Sequence, residues 1–160
     1  MEEEARRRAE ALKPITLYEN KLKIYALVNG EIITSNDMQS RINAFILTTG
    51  IPYNNQTKAM ITEKVLQAAI DEKLKLQEAK KNKVSVSRAE LNKAVREFEQ
   101  ANGMQAGQLK QELESNKVSM NVWTTQIEAD IAWKKLILGL AFRVVDIPQS
   151  GLLAQIISLR

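Results

Sequence analysis

Neither cysteine nor histidine occurs among the 160 residues, which narrows the chemistry open to this chain. Thiol nucleophiles, disulfides, the commonest metal ligand and the usual general base are removed together. Carboxylates, lysines, tyrosines and hydroxyls remain. Asp71/Glu72 and Glu112/Glu114 are the candidate acid–base pairs. Each falls in a helical stretch, where residues one or two apart do not face each other, so both pairs read as solvated surface. Lys80, Lys81 and Lys83 lie where a helix ends and cations offset its macrodipole, which explains them better than an anion site. Gly30 and Gly103 read as turn glycines, because no strand, glycine-rich loop and helix surround them in the order that cradles phosphate. No catalytic residue, metal ligand or cofactor is expected.

Charge and composition exclude further classes. The formal net charge is +4, and aromatic residues make up 5% of the chain. Arg6, Arg7 and Arg8 each follow Glu2, Glu3 and Glu4 by four residues, the favourable order for pairs along a helix surface. A solvated helix accounts for that run better than a nucleic-acid arm, and few rings are available to stack on bases. No run approaches the roughly 18 apolar residues of a membrane span. The first residues carry no apolar signal core.

Residues suited to binding are more evident. Met38, Met60, Met104 and Met120 lie near the starts or ends of helical stretches. Methionine is flexible and polarizable, and suits a surface that accepts varied apolar partners; ordinary core packing is the competing reading. Trp123 and Trp133 read as core residues, although Trp123 is early enough in its helix to line a groove. Ile51 and Tyr53 flank Pro52 in a loop, where exposed apolar groups can contact a partner.

The elements that position these residues are organised around Tyr25–Asp37. Asn29-Gly30 is a strong signal for a two-residue hairpin turn, and Leu27-Val28 and Ile32-Ile33 flank it. Thr34, Ser35 and Asn36 can each cap a following helix. An isolated hairpin is marginal in water, so it must lie against the helices that follow. Those are expected at about 36–47, 56–80, from the capping box Ser87–Glu90 to about 101, around Leu109 and Leu113, and from Ser119 to about 140. Ile61-Val65-Ala69 and Leu66-Ile70-Leu74 give the second of these a wide apolar face. The last is apolar on two faces, so its C-terminal half is expected at the centre of the core. Residues 142–147 are β-branched and extended in character, and form a candidate third strand or a linker. The predicted fold is mainly α: one domain over 15–160 with about five to six helices and a small β-hairpin near 25–34. A charged helix within 1–14 precedes it, differing in composition from everything downstream.

Val28-Asn29-Gly30-Glu31-Ile32-Ile33-Thr34, followed by Asp37, resembles the opening of the N-terminal domain of SurA-type periplasmic chaperones and related parvulin-linked foldases. Ala69–Ala79, Val84–Ser87, Asn102-Gly103-Met104 and Gln126–Trp133 are similar to later pieces of that domain in the same order. The resemblance covers about residues 24–150. It implies a periplasmic, ATP-independent holder of unfolded segments, chiefly of outer-membrane β-barrel proteins. No isomerase activity is expected, because the family's parvulin-type domain normally follows near the point where this sequence stops. A helix from the far C-terminus completes the family's domain, and Glu2–Leu12 or Leu152–Leu159 is expected to take its place. Met38, Ile51, Tyr53, Met60, Met104, Met120 and Trp123 are the expected client contacts. The alternative is a helical interaction module that forms a homodimer and holds no client.

Overall fold

The computed structural model describes residues 1–11 and 23–145, with the side chains of 1–7 and 23–141. The turn Asn29-Gly30 has positive φ at both residues, 49° and 89°, the geometry that matches the twist of a two-residue hairpin. It joins β1 (Ile24–Val28) to β2 (Glu31–Thr34) in an antiparallel pair, with Leu27 opposite Ile32 and Val28 opposite Glu31. The register shifts between Ile24 and Ala26, so Tyr25 forms a bulge. At the base of the hairpin the Ser35 amide donates to the Lys23 carbonyl at 2.8 Å.

Thr34 ends the hairpin and starts a helix. Its hydroxyl accepts from the Asp37 amide while the Asp37 carboxylate accepts from the Thr34 amide, a reciprocal cap. Among the described residues five helices follow this hairpin. They are α2 (Ser35–Thr49), α3 (Lys58–Lys81), α4 (Arg88–Ala101), α5 (Gln108–Ser115) and α6 (Met120–Val145); α1 (Glu2–Ala11) precedes it. Gly50 closes α2 in the left-handed region at φ 69°, with its amide bonded to the Ile46 carbonyl. The Ser87–Glu90 capping box opens α4 as expected.

One core lies between the hairpin, α2 and α3. Val28 and Ile33 meet Met38, Ile42 and Ile46 on one side and Ile61, Val65 and Ala69 on the other. Each such aliphatic side chain contributes roughly 1.5–3 kcal/mol on full burial, which stabilises a hairpin that could not persist alone. A second, smaller cluster of Leu109, Leu113 and Val118 gathers Ala44, Val95, Met104, Met120 and Trp123 around it. Asn43 joins the two: it is 2% exposed and donates to the Lys117 carbonyl. The most extensive helix contact is between α3 and α6. Lys75 pairs with Asp130, and Ala68 and Gln126 line a common cleft, so the two helices run parallel.

Two expectations need correction. Residues 142–145 continue α6 and are not a strand, while 146 and 147 lie outside the described residues. Helix propagation is cooperative, and Pro148 is the first residue after Trp133 that bars it. The far part of α6 is not central either. Val122, Ala129, Ala132 and Leu136 form its buried stripe, whereas Ile137, Leu138 and Leu140 are exposed. The described side chains of α1, Met1–Arg7, are all exposed. Leu12 and Leu152–Leu159 lie outside the described residues.

Candidate functional site

A trough runs between α3 and α6, and helical spacing puts its lining residues on one face of each helix. On α6, Trp123, Gln126, Asp130 and Trp133 follow one another at i, i+3, i+7 and i+10, which is one face of a helix. On α3, Lys64, Ala68, Asp71, Lys75 and Glu78 form the facing stripe at i, i+4, i+7, i+11 and i+14. Three clefts share residues along this seam. The first, of about 290 Å³, lies among Ala44, Phe45, Val65, Ala68 and Trp123. The middle one, about 310 Å³, shares Arg41, Ala68 and Gln126 with the first. The third, about 400 Å³, lies between Leu74 and Trp133 and shares Asp71 and Lys75 with the middle one. Together they line a trough along the seam, with apolar surface from Phe45, Val65 and Trp123 at one end and from Leu74 and Trp133, beside Asp71, Lys75 and Glu78, at the other.

The floor at the centre is an ion pair. Arg41 of α2 donates to both carboxylate oxygens of Glu72 at 2.8 and 2.7 Å, and each side chain is 7% exposed. A fork of this kind fixes the angle between α2 and α3 and neutralises the charge beneath the trough. Arg41 Nε is buried and has no acceptor among the described residues. Above the floor, Lys75 reaches Asp130 at 3.6 Å and bridges the two walls. Both partners are partly solvated, so this bridge is weak and easily parted.

The walls are braced from behind. Trp123 meets Phe98 of α4 edge to face, with ring centroids 5.3 Å apart at 72°. Lys135 of α6 bonds the Glu90 carboxylate and the Ser85 carbonyl, tying the start of α4 to α6. The Lys135 bond, followed by the Ser87 amide, holds the Glu90 carboxyl at about 2, well below its ordinary value. Glu99 is 4% exposed and accepts from the Gly107 and Leu109 amides, supplying acceptors at the N-terminus of α5.

The expected contact residues are dispersed. Met38 is fully buried among the hairpin-side core and offers no surface. Ile51 and Tyr53 are half-buried over that core, with the Tyr53 hydroxyl 3.1 Å from Thr62 Oγ1. Met60 is exposed near the start of α3 but does not line the trough. Met104 and Met120 pack on the second cluster. Of the seven, Trp123 alone lines the trough. Reading the residues singly misses Trp133, Leu74, Ala68 and Arg41 as lining groups. The two facing stripes are a usable signal for Trp133 and Ala68. Arg41 and Glu72 are 31 positions apart, and no local pattern connects them.

A separate apolar surface lies on the outer face of the hairpin. Ile24, Leu27 and Ile32 are 64%, 67% and 44% exposed, with Leu27 and Ile32 directly paired. Among the described residues no helix is long and apolar enough to cross a membrane.

Comparison with known proteins assigns the fold to a family. Residues 22–137 match the family model described as the SurA N-terminal domain. The "Chaperone SurA" of Photobacterium profundum is 30% identical over 114 residues, covering 68% of this chain and 25% of the relative. The "Chaperone SurA" of Legionella pneumophila (strain Lens) is 25% identical over 111 residues, covering 68% of this chain and 26% of the relative. The aligned part therefore spans about a quarter of each relative's length. With its hairpin, its helix order and this match over most of its length, the chain belongs to the SurA N-terminal domain family.

Proposed function

We propose that this chain is a client-holding domain that keeps unfolded outer-membrane protein segments from aggregating in the periplasm, without ATP and without catalysis. The observation that carries the reading is the trough between α3 and α6, with Trp123 at one end and Leu74 and Trp133 at the other. Its rim and centre are charged or polar, so bound chains stay partly solvated. That combination gives moderate affinity and fast release, as a holder requires. The curated relatives named as chaperones support the same reading.

The exposed hairpin face favours a second reading, an interaction module that dimerises. Three partly exposed side chains supply far less than the roughly 800 Å² per partner of a stable interface, so the face fits transient contact better. The test is light scattering of an unfolded outer-membrane β-barrel protein diluted from urea with a near-stoichiometric amount of this chain. Suppressed scattering is the expected result. Unchanged scattering, together with a concentration-dependent dimer by sedimentation, would replace the holder with the module.

A further inference from the structure

We propose that the trough takes an extended peptide in one register: two apolar side chains four residues apart, flanked by an acidic residue at one end and a basic residue at the other. The inference rests on the holder reading and specifies the client segment. Trp123 and Trp133 are ten positions apart on α6, which places them about 15 Å apart along the helix axis. An extended chain advances about 3.3 Å per residue and alternates faces, so i and i+4 cover about 13 Å on the same face. Spacings of three or five turn the second side chain away from the trough.

Charge sets the flanks. Among the described residues the Trp123 end is lined by Lys64 and Arg41 and by no carboxylate. Arg41 is neutralised by Glu72, while Lys64 is exposed and forms no ion pair among the described residues. Among the described residues the Trp133 end carries Asp71 and Glu78 against one cation, Lys75, and Lys75 is itself engaged by Asp130. The trough is therefore positive at one end and negative at the other. The peptide's middle residues cross above the Lys75–Asp130 bridge, where small polar side chains cost least.

The test uses the full chain and dye-labelled heptapeptides read by fluorescence anisotropy. The reference peptide is glutamate, leucine, three serine or threonine residues, leucine and lysine. Removing one middle residue withdraws one leucine from an apolar end, and binding should weaken by about tenfold or more. Replacing either flank, to give two lysines or two glutamates, should weaken it about threefold, the scale of a solvated ion pair. Lys64→Glu, a change on an exposed helical site, should make the two-lysine peptide the best binder. Trp133→Ala should abolish the spacing preference, with folding checked by circular dichroism. Binding that ignores spacing and flanks would overturn this register and leave the holder reading standing if aggregation is still suppressed. Absence of both peptide binding and suppression would overturn the register together with the holder reading.

Discussion

Glu72→Ala is the sharpest structural perturbation available. It removes both carboxylate acceptors of Arg41 and leaves a guanidinium that is 7% exposed and, among the described residues, already lacks an acceptor at Nε. Breaking one side of a buried pair in this way costs about 3–5 kcal/mol. For a domain whose total stability is about 5–15 kcal/mol, that is a large fraction. The melting temperature should fall by about 10 °C or more. The assay is urea unfolding followed by circular dichroism, with Trp123 and Trp133 fluorescence as a second probe. Arg41→Met combined with Glu72→Leu removes both charges and the orphan Nε, and should be neutral or stabilising by about 1–4 kcal/mol. The reasoning is refuted if Glu72→Ala costs less than about 1 kcal/mol, the range of a solvated surface pair. It is equally refuted if the double variant is as unstable as the single one.

Glu99→Ala strips two backbone amides of α5 of a buried acceptor and should lower stability by about 1–3 kcal/mol in the same urea assay. Gly30→Val forces a β-branched residue into φ 89°, at about 1–3 kcal/mol, and should lower the unfolding midpoint. Because folding lowers the Glu90 carboxyl from 4.5 to about 2, its bond to Lys135 stabilises the fold above pH 4.5 and loses that effect as pH falls toward 2. The urea midpoints of wild type and Glu90→Gln should accordingly differ at pH 6 and converge near pH 2.

The hairpin, the caps at Ser87 and Gly50 and the order of helices are legible in the sequence because each rests on neighbouring residues. Asn29-Gly30 strongly favours its two-residue turn, and Ser87 and Glu90 meet within one helical turn. The end of α6 is not legible in this way, because β-branching at Val144-Val145 is a weak preference, overridden by a helix already formed. Its depth is equally hidden: two apolar faces suggest enclosure, while α3 covers one stripe and leaves Ile137, Leu138 and Leu140 exposed. At the trough, methionine is a poor guide, since a residue such as Met38 suits the interior as well as a binding surface and packs inside. The trough is a property of two helices in parallel register, and neither helix alone announces it. Its floor depends on Arg41 meeting Glu72 across 31 residues, a contact that only folding creates.

Ala68 sits on the exposed wall shared by the first two clefts. Ala68→Arg fills the trough at a position where arginine suits a helix nearly as well as alanine. The decisive measurement is the affinity of an unfolded outer-membrane β-barrel protein for wild type and for this variant, at matched melting temperature. A loss of about tenfold or more is expected, the cost of excluding one apolar side chain. Equal affinity would mean that clients are held elsewhere, and the trough would lose its role.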